Sequence, residues 1–385
     1  MQNEERIKIQ NEAYDEALKH KRRTLALSMR VGKTLIGIRV AHAKYLEIVS
    51  QESRKPKILV VAPKLAIFES WKEDLDKFNY QYLHENIEYS TYVSFNKLDL
   101  SKYDLIIFDE CHSLKRSHAH LDTHNLTYRD KTLQAFKGDI LGLTGTAPVN
   151  GYSEKATMIK RFCPIVYNYT TEEAITENIL NDYRIIVHRI PLSHEKNIHV
   201  KKGKWDFYTS EIDSYKYLTK MVDEAANNKA KQWAAITRMK QMQGFKSKEV
   251  YTKKLLEKLE DKCLIFANTK EQADLLCTHS YYSGNSSNEV NLQLFKAGVI
   301  KDLSCVEQLS EGITIPDLKT SIIMHCHSAN SAKPKQKFGR ALSLSVDEMS
   351  TVHVLMHAYT CEEKYVAETL ADLDQSKIKY IDHKF

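Results

Sequence analysis

The stretch Leu27-Ser28-Met29-Arg30-Val31-Gly32-Lys33-Thr34 ends in the Gly-Lys-Thr of a phosphate-binding loop. Gly32 lets the backbone approach a phosphate, Lys33 places a positive charge beside the β- and γ-phosphates, and the Thr34 hydroxyl is a ligand for Mg²⁺. An apolar helical segment follows, and the amides at its N-terminus favour an anion on the same side. Because Arg30 stands where such loops usually have a glycine, a helix start that only carries these letters remains the alternative.

Length and composition set outer limits on the class of protein. The 385 residues are enough for two domains, and 42% hydrophobic and 28% charged residues are typical of a globular protein. The net charge of +6 permits a nucleic-acid partner without requiring one. The seven cysteines form no Cys-x-x-Cys pair, so neither a disulfide framework nor a zinc site is indicated. Without a signal-peptide pattern or a membrane-length apolar run, we expect a cytoplasmic protein with no membrane partner.

Short apolar runs alternate with helical patterns along most of the chain, and several of them end in a polar, glycine-bearing or proline-bearing tip. In the N-terminal half the runs, with their tips, are 24–27, 57–64, 104–108 and 140–143. In the C-terminal half they are 262–269, 303–307, 320–325 and 352–356. This alternation predicts an α/β fold with parallel sheets, whose functional groups collect at the carboxyl ends of the strands.

Residues 201–254 interrupt the alternation. Their composition is mostly helical, and the segment is rich in basic residues, including Lys240, Lys246 and Lys248. Aromatic residues such as Trp205 and Trp233 lie among them. A solvated helical face with a few core aromatics and a nucleic-acid-binding surface explain this composition equally well.

The pair Asp109-Glu110 follows the third apolar run and is the partner that a Gly-Lys-Thr loop requires. An acidic residue at the end of a strand completes the coordination of Mg²⁺, and the next carboxylate can orient and deprotonate the attacking water. Capping of the following helix is the alternative role for such a pair. The order and spacing of loop and pair favour a nucleotide-hydrolysing site. Its catalytic residues would be Lys33, Asp109 and Glu110, with Thr34 and Asp109 as Mg²⁺ ligands.

The tetrad Asp109-Glu110-Cys111-His112 resembles the Asp-Glu-x-His box of superfamily 2 helicases and translocases. Other matches to the motifs of this superfamily occur in the family's order between about residues 6 and 343. They are Val60–Lys64 (motif Ia), Thr144–Asn150 (motif III), Phe266–Thr269 (motif IV), Glu311–Pro316 (motif V) and Gln336–Arg340 (motif VI). The spelling of motif III is most similar to that of the Swi/Snf-type branch.

The resemblance implies two RecA-like domains of the P-loop NTPase type that bind ATP and Mg²⁺ between them. The first is expected at residues 1–166 and the second at residues 167–385, with a basic helical insertion at about 201–250. Arg340 is implied to be catalytic. The positions implied to contact the nucleotide are Gln10, Gly32, Lys33, Thr34, His112, Gly312 and Gln336. Those implied to hold nucleic acid are Lys64, Thr146, Asn268, Thr269 and Ser310.

Three positions depart from the family's pattern, of which Cys111, in place of the usual alanine, is a small change. Arg30 replaces a loop glycine, which we interpret as a variant because the position of Gly32 lies closest to phosphate. Ser343 stands where the family usually has a second arginine, three residues after Arg340. The departure at position 343 concerns the chemistry directly, since that arginine is part of motif VI.

Three functional hypotheses follow from the sequence. The preferred one is an ATP-dependent helicase or translocase acting on single-stranded, duplex or forked DNA. An RNA helicase of the same superfamily is the second, although the tetrad is not Asp-Glu-Ala-Asp. The third is a nucleotide-gated clamp or annealing factor with weak ATPase activity, which Ser343 would permit. Retention of Glu110 argues against the third, because a protein that only binds nucleotide has no use for a general base.

Overall fold

A computed structural model describes residues 2–115, 133–145, 151, 153–203, 205–306, 309, 315–326, 348–371 and 373–384. The chain divides into two compact units. Residues up to Asn181 form the body of the first unit, and the second begins at Asp182. The prediction of two parallel-sheet domains is therefore confirmed.

The first unit is built on a parallel sheet, in which the strand order among the described residues is β3-β2-β4-β5-β1-β6. Its strands are β1 (Arg22–Leu27), β2 (Ile58–Ala62), β3 (Ile87–Thr91), β4 (Leu105–Asp109), β5 (Asp139–Thr144) and β6 (Ile165–Tyr169). Its helices are α1 (Gln2–Leu18), α2 (Lys33–Glu52), α3 (Leu65–Lys77), α4 (Tyr92–Phe95), α5 (Glu154–Phe162) and α6 (Thr171–Thr176). The apolar runs predicted as strands are β1, β2, β4 and β5, and these four form the interior of the sheet. Interior parallel strands are covered on both faces, which is why they appear as continuous apolar runs.

The two edge strands, β3 and β6, were not predicted. Strand β6 pairs in parallel with β1, with Ala26 opposite Asn168. The expected domain boundary between residues 166 and 167 falls inside β6, whereas the two units divide after Asn181. The difference arises because β6 has exposed and half-buried positions and lacks the apolar run of an interior strand.

The second unit has its own parallel sheet, with the strand order β11-β12-β10-β13-β14-β7-β15 in the described part. These strands are β7 (Tyr183–Ile190), β10 (Cys263–Ala267), β11 (Ser280–Tyr281), β12 (Asp302–Val306), β13 (Thr320–Ile323), β14 (Ser350–His357) and β15 (Ile378–Asp382). The helices α10 (Lys270–Leu276), α11 (Asn288–Lys296) and α12 (Glu362–Leu370) accompany them. The four predicted runs correspond to β10, β12, β13 and β14.

Between β7 and β10 the chain forms an insertion that is only partly helical. It begins with an antiparallel hairpin of β8 (Ile198–Lys202) and β9 (Trp205–Thr209), in which Lys202 lies opposite Trp205. Helices α7 (Glu211–Asp223), α8 (Asn228–Gln243) and α9 (Lys246–Leu256) follow. The expectation of helix from residue 201 was wrong for the hairpin, since Lys201 and Lys202 belong to β8.

Lys248 also departs from the expectation of a solvated basic face. It is fully buried, and its Nζ lies 2.7 Å from Oε1 of Glu362. Lys248 is therefore part of the core of the second unit. No helix among the described residues has the length and apolar content needed to cross a membrane.

Candidate nucleotide-binding site

The phosphate-binding loop joins the end of β1 to the start of α2. Gly32 is the N-cap of α2 and has a φ of 110°, while Arg30 has a φ of 63°. A Cβ atom on Gly32 would lie 2.5 Å from Nε2 of Gln10. The loop therefore requires glycine at position 32 for both its backbone conformation and its close packing.

Gln10 on α1 is buried against this loop. Its Nε2 donates a hydrogen bond to the carbonyl oxygen of Val31 at 2.6 Å, and Nε of Arg6 donates to the same oxygen at 3.2 Å. The structure thus brings Gln10 to the loop, where it holds the backbone just before Gly32. Its contact with adenine stays a prediction.

Lys33 is the first residue of α2 and extends back towards the end of β1. Its Nζ donates to the carbonyl oxygens of Leu27 at 3.3 Å and Ser28 at 3.5 Å. A Cβ on Gly145, which follows β5, would lie 3.1 Å from this ammonium. Lys33 forms no ion pair with any carboxylate in the described part of the chain. Its charge is therefore available to a phosphate.

Asp109 lies at the carboxyl end of β4 and is almost completely buried. Its Oδ2 accepts a hydrogen bond from Nε1 of Trp71 at 2.8 Å, and its Oδ1 accepts one from the Glu110 amide at 3.0 Å. Burial and the neighbouring Glu110 carboxylate raise the pKa of Asp109 to about 6, although Trp71 and Lys33 act in the opposite direction. A buried carboxylate whose ionisation is disfavoured, with a second carboxylate beside it, is a donor set suited to a divalent cation.

Glu110 and His112 occupy the turn after β4. Glu110 has a φ of 51°, and its Oε2 lies 3.4 Å from Nδ1 of His112. The same nitrogen lies 3.0 Å from Oγ1 of Thr144, a fully buried residue at the end of β5. His112 therefore connects the carboxyl ends of two neighbouring strands through polar contacts. Its expected partner Gln336 lies outside the described residues.

Trp71 is the residue of this site whose role the sequence did not reveal. In the sequence it belongs to a helical series of apolar residues on α3 and reads as a core residue, and it is fully buried. Its indole nitrogen nevertheless donates to Asp109. The signal that could have found it is the rule that a buried tryptophan N–H usually has a hydrogen-bond partner.

The residues of the first unit fit a nucleotide and Mg²⁺ at this edge of its sheet. The loop amides and Lys33 would face the phosphates, and Thr34 and Asp109 would hold the cation. Two observations support the fit: the Lys33 ammonium forms no ion pair with a carboxylate of the described residues, and Asp109 and Glu110 are adjacent and crowded. This arrangement is suited to phosphoryl transfer to water.

The residues predicted to contact nucleic acid follow the carboxyl ends of strands. Lys64 is the N-cap of α3 after β2, and Thr269 is the N-cap of α10 after β10. The Thr269 hydroxyl accepts a hydrogen bond from the Gln272 amide at 3.1 Å, and Oε1 of Gln272 accepts one from the Asn268 amide at 3.0 Å. Thr269 thus has a structural role as a helix cap, while its contact with nucleic acid stays a prediction. The predicted residues that lie outside the described part of the chain are Thr146, Ser310, Gly312, Gln336 and Arg340.

Two family models match the sequence. One, described as "Type III restriction enzyme, res subunit", matches residues 4–149. The other, described as "Helicase conserved C-terminal domain", matches residues 246–344. No curated protein matches the chain.

Solved structures share the fold at low sequence identity. One is a fragment of a putative HsdR subunit of a type I restriction enzyme from Vibrio vulnificus, with 15% identity, a TM-score of 0.59, and coverage of 97% of this chain and 67% of that chain. Another is S. cerevisiae Dbp5 bound to RNA and ADP BeF3, with 14% identity, a TM-score of 0.57, and coverage of 97% of this chain and 89% of that chain. The type ISP restriction-modification enzyme LlaBIII bound to DNA has 14% identity and a TM-score of 0.59, with coverage of 97% of this chain and 31% of that one.

Proposed function

The chain belongs to the superfamily 2 helicases, and we propose that it hydrolyses ATP and couples the hydrolysis to movement on, unwinding of or remodelling of DNA. The observation that carries the proposal is the arrangement of Lys33 and the Asp109-Glu110 pair at one edge of the first sheet. A lysine that forms no ion pair within the described part of the chain, together with an acidic pair whose first member is buried, supplies the two halves of a nucleotide-hydrolysing site.

Each residue of this site has a role that follows from its contacts. Trp71 fixes the orientation of the Asp109 carboxylate, so the cation ligand is held before nucleotide binds. When bound, Mg²⁺ neutralises charge on the β- and γ-phosphates. Lys33 stabilises the same phosphates from the loop side. Glu110 orients the water that attacks the γ-phosphate and accepts its proton, and His112 holds Glu110 next to the end of β5.

The second half of the machinery rests on the resemblance alone. In the superfamily's pattern, Arg340 supplies positive charge to the γ-phosphate during transfer, and Gln336 contacts the nucleotide. We extend these roles to this chain as part of the proposal. Backbone contacts by Lys64, Thr146, Asn268, Thr269 and Ser310 would hold the nucleic acid without reading its sequence.

The choice of DNA over RNA rests on the motif spelling and on one of the two family models. Motif III is spelled in the Swi/Snf-like manner, and residues 4–149 match a restriction-enzyme subunit. RNA remains the second candidate because the fold is also that of Dbp5, a protein solved bound to RNA.

The test is ATP turnover measured without nucleic acid and with single-stranded, duplex and forked DNA and single-stranded RNA. We expect DNA to stimulate turnover more than RNA, and Lys33→Ala to abolish it. Lys72→Ala, which changes an exposed lysine paired with Glu69 on α3, is the matched control. Absence of stimulation by any polynucleotide would overturn the motor proposal and favour the clamp with weak ATPase activity.

A further inference from the structure

The hairpin β8–β9 exposes an unusual amount of aromatic surface. Trp205 is 72% exposed, Tyr208 is 60% exposed and Phe207 is 48% exposed. Large aromatic side chains concentrated on one short hairpin are uncommon on a surface that faces only water, and such patches mark interaction sites. Neither the phosphate-binding loop nor the acidic pair uses this hairpin.

The base of the hairpin is firmly held, so the exposed aromatics are not part of a loose loop. The carboxylate of Glu211, just after β9, is fully buried and accepts hydrogen bonds from the Ser193 amide at 3.0 Å and the Ser247 amide at 3.0 Å. These bonds tie the chain before β8 and the start of α9 to the first residue of α7. Ile198 of β8 packs against a buried cluster that includes Met242 and Phe245. The hairpin therefore projects from a rigid base.

The charge of the hairpin segment indicates which kind of partner it binds. From Glu195 to Asp206 the sequence contains the lysines 196, 201, 202 and 204 and only two carboxylates. One of these, Asp206, pairs with His199 at 2.6 Å, while Lys201 has no ion-pair partner among the described residues. Exposed aromatic rings within a lysine-rich segment of the sequence are the combination that binds single-stranded nucleic acid, through phosphate attraction and base stacking.

The geometry of a β-strand suits a stacked base. Trp205 and Phe207 are alternate residues of β9 and so lie on the same face of the hairpin. Alternate residues of a strand are about 7 Å apart, roughly twice the ~3.4 Å rise per base of a stacked strand. One base can therefore lie between the two rings.

We propose that the hairpin β8–β9 is a contact site for single-stranded nucleic acid, on which unpaired bases stack against Trp205 and Phe207. The inference rests on the proposed function, because it names a place where the motor contacts its nucleic acid. Paired bases in a duplex do not present their faces, so the site distinguishes single strands from duplexes.

The chain offers a direct spectroscopic test. It has three tryptophans, of which Trp71 is fully buried and Trp233 is the other exposed one. In the full-length Trp233→Phe variant, emission from an exposed tryptophan comes from Trp205 alone. We expect a short oligothymidylate to quench this emission, and an equal concentration of blunt duplex to leave it unchanged.

Affinity measurements provide the second arm. Trp205→Ala should weaken binding of the oligothymidylate roughly 5- to 150-fold, without changing duplex binding or the salt dependence. Lys201→Ala should lower the salt dependence, because it removes a phosphate contact. Tyr380→Ala, which removes a half-exposed aromatic ring of β15, is the matched control and should bind as the parent does.

The outcomes separate the inference from the proposed function. If polynucleotide stimulates ATP turnover but Trp205 is neither quenched nor needed for binding, the hairpin site is refuted and the motor stands. If Trp205 is quenched but no polynucleotide stimulates turnover, the motor is refuted and the binding site stands. If Trp205→Ala instead changes the sedimentation of the protein without changing oligothymidylate binding, a second copy covers the hairpin, and the inference is overturned.

Discussion

Positions 30 and 32 of the loop show why one glycine can be lost and the other cannot. Arg30 has a φ of 63°, within the left-handed α region that residues other than glycine enter at a cost of about 1–2 kcal/mol. Gly32 has a φ of 110°, outside that region, and its α-carbon is packed against Gln10. The arginine at position 30 is therefore compatible with the loop conformation.

Substitution of the two positions should consequently have unequal effects. Gly32→Ala is expected to lower the free energy of unfolding of the first unit by about 1–3 kcal/mol, because the new Cβ meets Gln10 Nε2 and the backbone is strained. Arg30→Gly should change this free energy by less than about 1 kcal/mol. The relief of backbone strain in the folded state is offset by the added conformational entropy of the unfolded chain. Urea denaturation measures both. Equal effects would mean that the loop conformation does not discriminate between the positions.

We expect Glu110 to be needed for hydrolysis of the nucleotide but not for its binding. Glu110→Gln removes the proton acceptor but keeps the size of the side chain, so turnover should fall while ATP and nucleic acid stay bound together. The measurement is single-turnover hydrolysis combined with nucleotide binding. Glu69→Gln, on the exposed surface of α3, is the control. Unchanged hydrolysis in Glu110→Gln would remove it as the general base.

The sequence predicted the residues whose chemical type is dictated by phosphate and magnesium, and it missed those that only support them. Lys33, Asp109 and Glu110 could be proposed because few residue types can perform those roles. The structure brings all three to one edge of the first sheet, and their roles in hydrolysis stay predictions. Trp71 was missed because a tryptophan at helical spacing looks the same whether or not its N–H bonds to a carboxylate.

A row of histidines connects the edge strand β15 to β7. His188 Nε2 lies 2.9 Å from His353 Nδ1, and His188 Nδ1 lies 3.0 Å from His383 Nε2, just beyond β15. The Tyr251 hydroxyl, from α9, lies 2.8 Å from His188 Nδ1. A neutral imidazole has one N–H and one lone pair, so His188 donates on one side and accepts on the other.

This row predicts acid sensitivity of β15. Burial and the neighbouring imidazoles lower the pKa of His188 to about 3, and burial with Arg184 lowers that of His353 to about 4. Both folded values lie below the ordinary value near 6.5. The contribution of the two neutral histidines to the stability of the second unit is therefore complete above pH 6.5. It declines as the pH falls, by up to about 1.4 kcal/mol per pH unit for each histidine.

Hydrogen exchange of β15 measures the effect. After correction for the intrinsic exchange rate, protection of residues 378–382 should fall between pH 7 and pH 4.5 more than protection of β2, in the first unit. His188→Phe should reduce this pH dependence, whereas substitution of His84, a half-exposed histidine paired with Asp76, should not. Parallel loss of protection in β15 and β2 would contradict the prediction.

Lys248 is expected to stabilise the second unit through its buried ion pair. It donates to Glu362 Oε1 at 2.7 Å and to the Met324 carbonyl oxygen at 3.0 Å, and so joins α9, α12 and the end of β13. Lys248→Met should lower the free energy of unfolding of the second unit by about 3–5 kcal/mol, because the buried Glu362 carboxylate loses the one ammonium that neutralises it among the described residues. The double change with Glu362→Gln should cost less than the sum of the single changes.

The same variant separates a structural lysine from one that contacts nucleic acid. Urea denaturation should show the loss for Lys248→Met and little change for Lys253→Met, an exposed lysine of the same helix. The salt dependence of DNA binding should be unaffected by Lys248→Met. A flatter salt dependence, with stability unchanged, would return Lys248 to the group of surface contacts.

The two sheets could be predicted from the sequence because interior parallel strands must be apolar along their whole length. Strands β4 and β10 illustrate this, since every residue in them is buried. The hairpin β8–β9 could not be predicted in the same way, because the positions of β9 are exposed or half-buried and give no apolar run. The division after Asn181 was missed because the edge strand β6 carries only a weak pattern.

Motif VI, which includes Arg340, belongs to the second unit according to the resemblance. If Arg340 supplies charge to the γ-phosphate, Arg340→Ala should reduce kcat for nucleic-acid-stimulated hydrolysis by about 10³-fold or more, with little change in ATP affinity. Arg161→Ala changes an exposed arginine of α5 that bonds Gln134, and should leave kcat unchanged. Steady-state turnover and nucleotide binding, measured on the same preparations, separate the two parameters. Because Ser343 replaces the usual second arginine, no other motif VI arginine can compensate, and a loss of tenfold or less would assign the role of Arg340 to another residue.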